Sequence, residues 1–542
     1  NTAAGWNALG ANTTGSYNIA FGGGALDANT TASNNSAVGF GALSTNITGT
    51  SNTAVGYKAL NLNATSDNNT AVGLGALENN VNDSNTAVGY YSLRANTTGD
   101  SNVAVGVLAL NANTTAANNV AVGRSALAAN TTGGGNTALG KSALAANTTA
   151  ANNTAVGQNS LLVSTTGANN TAVGQNSLVA NTTASNNTAI GYAALTSNTT
   201  GQYNVAVGAY ALDLQTTTSN NTAVGYNAMT ATVGADNTAL GYSTLANNTT
   251  GGEQTAVGSD ALKDNTTGTE NTAFGFSALT NNLTGNSNTA LGRKALFTNT
   301  TGTGNIAVGQ GALLANTTAS NNTAMGYDAL VANTTATGNT ALGYNALTTN
   351  ITGAANTAVG NLALDATDDG GYNVAVGDRA LSANCGDDNT AVGTQALTAS
   401  TGIDNTACGA VAGYQQTAGS NNSFFGHDAG RTGSPGGAVT TGSNQVCIGD
   451  EGIAAAHIQV DWTIASDERD KTDFTALDLG LDFVNALAPV TYKWDKRAKY
   501  IDKDDPSVDL DAVSHDGTHK EDWLDIGFKA QEVEALEIAA GY

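Results

Sequence analysis

Residues Asn339 to Gly353 read NTALGYNALTTNITG, and close variants of this stretch fill most of the chain. The opening pentad, Asn-Thr-Ala-Leu-Gly here, recurs 26 times between residues 1 and 426, at intervals of 17 residues that shorten to 16 at four places. Self-similarity at a fixed short period is typical of repeat architectures, in which each repeat packs on its neighbours. The sequence therefore predicts a solenoid of 17-residue coils.

Each repeat alternates two short apolar segments with two polar turns. Segments of five to eight residues are too short for a stable helix, and Thr, Val and Tyr at alternating positions favour pleated strands. In the Asn-Thr-Thr-Gly part, Asn side chains can bond nearby backbone and Gly accepts positive φ. We therefore predict two strands per coil, with stacked coils forming an apolar column of residues such as Val55, Leu60, Val72 and Leu77.

The composition limits the classes of function. The chain has 18 Lys and Arg against 42 Asp and Glu, a formal net charge of −24, which disfavours nucleic acid and anionic membrane surfaces as partners. No apolar run approaches the ~18 residues of a membrane helix, so we expect no membrane insertion. Cys385, Cys408 and Cys447 lack metal-ligand spacing and are interpreted as buried free thiols. Since calcium-binding repeats are also absent, we predict no metal site and no cofactor.

The repeats resemble a known family of surface proteins. The pentad is similar to the NSVAIG-type coils of trimeric autotransporter adhesin heads, which are parallel β-rolls assembled as trimers. The resemblance covers residues 1–426 and implies a homotrimer. Tyr57 and Arg293, just after their pentads, stand at a position of variable sequence. We expect these side chains to face solvent or a neighbouring chain.

The character of the sequence changes after residue 426. Residues 427–465 contain a glycine-rich linker, Gly430 to Gly442, and then NQVCIG, which we interpret as a degenerate last coil. Residues 466–542 hold more charge and predict a small α+β domain. Its expected elements are an amphipathic segment Leu477–Leu487 ended by Pro489, strands at Val490–Trp494 and Ile526–Phe528, and a helix at Ala530–Leu536.

Three blocks in residues 466–542 resemble the intramolecular chaperone auto-processing domain of phage tailspikes, endosialidases and related fibres. The blocks are SDERDK (466–471), LAPVTYKW (487–494) and IGFKAQEV (526–533), similar to that family's SDxRxK, LxPVxYxW and IGFxAQEV. The resemblance implies that Ser466 and Lys471 form a catalytic dyad. It also implies supporting roles for the motif residues Asp467, Arg469 and Gln531.

A serine hydroxyl becomes a nucleophile when a base takes its proton, and a lysine of lowered pKa can do this. By the resemblance, the scissile bond joins Ala465 to Ser466, and each chain would cut itself once. The sequence departs from the family at Asp470, often Leu there, and the usual C-terminal helix would lie beyond Tyr542. Without the other blocks, Ser466 would be interpreted as a turn or helix cap.

Three functions remain open on the sequence alone. The first is the shaft of a viral or phage tail fibre, on the virion, that forms a homotrimer and meets a host-surface receptor or glycan. The second is an adhesive filament on a bacterial surface or in the extracellular space. The third, an ice- or glycan-binding solenoid, is disfavoured because Thr is expected at turns. Because residue 1 is already in register with a repeat, we also expect a further N-terminal part.

Overall fold

The computed structural model describes residues 1–434, 437–453, 480–493, 517, 518, 520, 522 and 524–540. The chain divides into two compact units, Asn1–Ala454 and Ala455–Tyr542. No helix among the described residues is both long enough and apolar enough to cross a membrane.

The first unit is a parallel β-solenoid with 27 described strands of three residues each, one per coil. Each strand pairs with the next in parallel, residue for residue, so that Ala341 lies opposite Ala358. This confirms the predicted parallel solenoid of 17-residue coils. The strands are β1 Thr2–Ala4, β2 Ile19–Phe21, β3 Ser36–Val38, β4 Thr53–Val55, β5 Thr70–Val72, β6 Thr86–Val88, β7 Val103–Val105, β8 Val120–Val122, β9 Thr137–Leu139, β10 Thr154–Val156, β11 Thr171–Val173, β12 Thr188–Ile190, β13 Val205–Val207, β14 Thr222–Val224, β15 Thr238–Leu240, β16 Thr255–Val257, β17 Thr272–Phe274, β18 Thr289–Leu291, β19 Ile306–Val308, β20 Thr323–Met325, β21 Thr340–Leu342, β22 Thr357–Val359, β23 Val374–Val376, β24 Thr390–Val392, β25 Thr406–Cys408, β26 Ser423–Phe425 and β27 Val446–Ile448.

The prediction of two strands per coil is wrong. After β21 the second apolar segment is a turn, in which Asn345 and Leu347 have φ of 51° and 53°. Consecutive residues Ala346 and Leu347 are both fully buried, whereas a strand would point them to opposite faces. The left-handed conformation costs a non-glycine residue about 1–2 kcal/mol. Burial of the Leu side chain, worth about 1.5–3 kcal/mol, offsets that cost.

The core is a column of Ala and Leu, and the predicted contribution of Val is wrong. In β21 the middle residue Ala341 is fully buried, while Leu342 is 45% exposed. A three-residue strand can point only its middle side chain inward, because side chains alternate between faces. Val55, at the third position of β4, is accordingly 37% exposed, whereas Leu60 is fully buried as predicted.

Two columns of buried Asn side chains tie neighbouring coils together. The backbone N–H of Asn339 donates to Oδ1 of Asn322, one coil earlier, at 2.9 Å, and its own Nδ2 donates to the carbonyl of Gly353 at 2.9 Å. In the second column Nδ2 of Asn350 donates to Oδ1 of Asn333 at 3.2 Å and to Gly353 at 3.0 Å. These bonds satisfy polar backbone groups that the turns leave unpaired inside the coil.

The pentad glycine permits the coils to stack closely. Gly343 has φ of 148°, and a Cβ there would overlap the carbonyl oxygen of Gly360 in the next coil. The same approach recurs along the column, so the backbone spacing of the solenoid requires a residue without a side chain at this position.

The last coil is longer than the others. Strand β27 pairs with β26 in parallel, with Val446 opposite Ser423, after an interval of 23 residues. Phe424 replaces the usual Ala at the inward position and is fully buried. Its ring lies against Gly430, and a Cβ on Gly430 would overlap the ring. Val439, 6% exposed, packs into this end of the core.

The second unit contains two short helices and a two-stranded antiparallel sheet among its described residues. The elements are α1 Gly480–Ala486, β28 Val490–Tyr492, β29 Asp525–Gly527 and α2 Ala530–Ala540. α1 contacts α2. The predicted small α+β character of the C-terminal region is confirmed.

Candidate processing site and chaperone segment

The structure brings the second and third motif blocks together. Strand β28 belongs to the block 487–494 and β29 to the block 526–533, and the two pair antiparallel. Thr491 lies opposite Ile526, and Tyr492 lies opposite Asp525. Two motifs separated by about thirty residues of sequence are therefore one local structure.

Gly527 allows the Tyr492 ring to lie across the strand pair. A Cβ on Gly527 would come within 3.2 Å of Cε1 of Tyr492, closer than almost all real contacts of that kind. The next residues turn into α2, where the carbonyl of Lys529 accepts from the N–H groups of Glu532 and Val533 at 3.0 and 3.2 Å. The Lys529 ammonium also pairs with the Glu532 carboxylate at 2.7 Å. The third block thus encodes a strand, a tight turn and a helix start.

One predicted site residue lies in this region. Gln531 is exposed in the first turn of α2. The others, Ala465, Ser466, Asp467, Arg469 and Lys471, lie outside the described residues, so the catalytic dyad stays a prediction.

The described outer surface of the solenoid carries an open groove. A groove of about 520 Å³ crosses neighbouring coils. Its walls carry amide, hydroxyl and carboxylate groups that can hydrogen-bond a polar ligand. It is lined by Asn247, Asp264, Thr266, Asn281, Leu283, Thr298 and Thr300.

The expectation of buried thiols fails at one cysteine. Cys385 and Cys447 are buried, but Cys408 is exposed at the third position of β25. Burial raises the pKa of the Cys385 thiol to about 11. The difference follows from strand alternation, since Cys408 occupies the outward position that Val fills in most coils.

The sequence did not predict a cluster of titratable side chains that the structure places at the last coil. Nδ1 of His427 lies 3.3 Å from a carboxylate oxygen of Asp428 and 3.6 Å from one of Asp450. The three could each offer a ligand atom to a metal ion. The Arg431 guanidinium already pairs with Asp428, however, and exposed acidic groups often cluster without an ion. The 23-residue interval before β27 brings Asp450 beside His427, and the regular period gives no signal of it.

Residues 466–542 match the model of the family described as chaperone of endosialidase. The match begins at Ser466 and includes all three motif blocks. Comparison with curated proteins and with solved structures found no match. The chaperone family and the solenoid of 17-residue coils together fit a tailspike- or endosialidase-type protein, with a C-terminal chaperone. The chaperone family implies a fibre that self-associates, and a protein of this type suggests a location on a virion or outside the cell.

Proposed function

We propose that the chain is the shaft of a phage tail fibre that serves host attachment. In this proposal three copies assemble under the direction of the C-terminal chaperone, which then releases itself by cutting between Ala465 and Ser466. The observation that carries the proposal is the family match over residues 466–542, joined to a long uniform solenoid.

A terminal chaperone would answer a difficulty that this solenoid creates. The described strands of the ladder repeat nearly the same pairing, so two chains displaced by one 17-residue repeat would meet almost identical partners. Register is weakly specified in such a case, and long-range pairing is slow. A folding nucleus at one end would fix the starting register. Leu481, Ile526 and Ile538 are 67–80% exposed and offer this unit apolar surface for association.

The proposed chemistry uses residues of one chain. The Ser466 hydroxyl oxygen attacks the carbonyl carbon of Ala465 while the Lys471 amine takes the hydroxyl proton. The bond from that carbon to the Ser466 nitrogen breaks, the nitrogen gains the proton, and an ester remains. Water then hydrolyses the ester, which frees the segment that begins at Ser466. Each chain reacts once.

Denaturing gel electrophoresis of the freshly expressed chain tests the processing step. We expect a fragment of residues 466–542 from the wild type, with Ser466 as its first residue by N-terminal sequencing. Ser466→Ala should abolish the fragment and Lys471→Met should reduce it strongly, whereas Ser507→Ala, a matched serine change in the same segment, should not. A wild type that stays intact would refute self-processing.

A bacterial surface or extracellular adhesive filament is the second candidate. The similarity of the pentad to adhesin head coils favours it. Immunogold electron microscopy separates the two functions, because a tail fibre is found at a defined length on phage particles and an adhesin on cell envelopes. In both cases the shaft would hold a receptor- or glycan-binding element away from its base.

A further inference from the structure

The outward face of the described strand ladder carries no charged side chain, and its third-position row is apolar throughout. In all 27 described strands the third residue is Ala, Val, Leu, Ile, Met, Phe or Cys, and the first is Thr, Val, Ile or Ser. The chain as a whole has a formal net charge of −24. We call the first and third residues of strands β1–β27 the strand face.

The third-position side chains form a continuous row whose members are half-buried or exposed. Val55 is 37% exposed, Leu240 is 48% exposed and Phe274 is 53% exposed. Parallel pairing places each such residue directly beside its counterpart in the next coil, as Phe274 lies opposite Leu291. Apolar side chains are therefore neighbours from coil to coil along the described ladder.

The strand face as a whole is comparable in size to a protein interface. At ~4.8 Å between strands and ~3.3 Å per residue, 27 three-residue strands present a face on the order of 1,300 Å². A stable protein interface takes about 800 Å² from each partner. The strand face is therefore large enough to hold a complete interface.

In some coils an aromatic side chain follows the pentad. Tyr344, just after the pentad, is 53% exposed and stacks on Tyr327 of the preceding coil with ring centroids 5.5 Å apart. Tyr226 and Tyr242 stack in the same way at 5.7 Å. Aromatic residues are enriched in the centres of protein interfaces.

The acidic residues lie elsewhere on the coil. Asp67, Asp100, Glu253 and Glu270 occupy the polar turns just before the pentads. Two copies that met turn to turn would bring like charges together, whereas copies that meet strand face to strand face would keep them apart. The charge pattern favours a second copy of this acidic chain as the occupant.

We infer that the strand face is the surface through which copies of this chain pack together in the fibre. The inference rests on the proposed homotrimer and assigns its interface. An ice lattice is a weaker candidate for the same face. Several strands carry larger residues such as Leu139, Phe274 and Met325 where most carry Val, and a protein partner can shape itself around such bulk.

Two sets of charged variants in the same coils test this assignment. The strand-face set is Val156→Lys, Val173→Lys and Ile190→Lys, and the control set is Thr166→Lys, Thr183→Lys and Thr200→Lys at exposed turn positions. Light scattering should give a trimer for the wild type and the control, and a monomer with unchanged circular dichroism for the strand-face set. A strand-face set that stays trimeric overturns the inference. A monomeric wild type refutes the proposed trimer itself, and thermal hysteresis in that monomer would assign the face to ice.

The native thiol gives a readout that needs no destabilising substitution. Cys408 lies on the strand face and is exposed in the single chain. A short bis-maleimide should link two wild-type chains through this residue, and Cys408→Ser should remove the link. A trimer whose Cys408 reacts with a monofunctional maleimide but gives no cross-link would place the strand face in solvent and overturn the inference.

Discussion

Oδ1 of Asn339 accepts a hydrogen bond from the backbone N–H of Asn356, one coil later, at 2.8 Å. Both side chains are fully buried. The Asn column thus joins consecutive coils where the three-residue strands provide little pairing of their own. Because side chains make these hydrogen bonds, single substitutions can measure what each bond contributes to the stability of the solenoid.

Asn339→Ala should weaken the solenoid locally. It leaves the Asn356 N–H without its acceptor, whereas the Gly353 carbonyl keeps the bond from Asn350. We expect a loss of about 1–3 kcal/mol, the usual cost of one unsatisfied buried donor. Hydrogen exchange at Asn356 should accelerate accordingly, and Thr352→Ala, an exposed change in the same coil, should leave it unchanged. Equal protection in both variants would contradict a structural role for the Asn column.

Gly343→Ala should disrupt coil stacking, because its Cβ would overlap the carbonyl of Gly360. Gly24→Asn is the matched control. Gly24 has φ of 68° with nothing within 4 Å of an added Cβ, and Asn345 occupies the equivalent place at φ of 51°. Limited proteolysis should cut the Gly343 variant within the solenoid and leave the Gly24 variant intact. Equal resistance of the two would show that close backbone approach is not required.

The three thiols should differ sharply in alkylation. At pH 8 the Cys385 thiol is protonated, since burial raises its pKa to about 11, and it is also inaccessible. The thiolate is the reactive form. The sample is the folded strand-face variant, which is expected to be monomeric. Mass spectrometry should show iodoacetamide adducts at Cys408 and none at Cys385. Modification of Cys385 before Cys408 would mean that this coil opens readily.

Asp213 should make the solenoid slightly less stable at neutral than at acid pH. Burial raises the pKa of its carboxyl, and its Oδ1 has no hydrogen-bond partner among the described residues. A folded-state pKa above the unfolded value stabilises the fold fully below the unfolded pKa, and this contribution is lost as the pH rises through the folded pKa. Asp213→Asn should therefore melt higher than the wild type at pH 7, and the difference should vanish near pH 3. An exposed change, Asp100→Asn, should show no such trend.

The sequence predicted the architecture, but it did not predict which apolar side chains of each coil point into the core. The period and the parallel stacking follow from the recurrence of the pentad. Which apolar residue points inward does not, because Ala54 and Val55 are neighbours and either could face the core. The assumption that the larger residue is buried failed, since the narrow coil accommodates Ala beneath the strand and Leu beneath the turn.

The sequence did not predict the conformation of the turn after each strand either. Leu347 is an unusual residue for positive φ, and only the burial of both Ala346 and Leu347 explains it. In the C-terminal segment, the pattern of apolar residues and Pro489 predicted a small α+β unit, and β28, β29 and α2 confirm it. The roles of Ser466 and Lys471 rest on the motif and family match, because these residues lie outside the described ranges.

The mass of the fibre in solution, with and without the chaperone segment, tests the central claim most directly. The full chain should give, after processing, a shaft of three copies by light scattering. A chain that ends at residue 465 should give monomers or aggregates, because nothing sets the register. A trimer that forms equally well without residues 466–542, or a full chain that remains monomeric, would contradict the account.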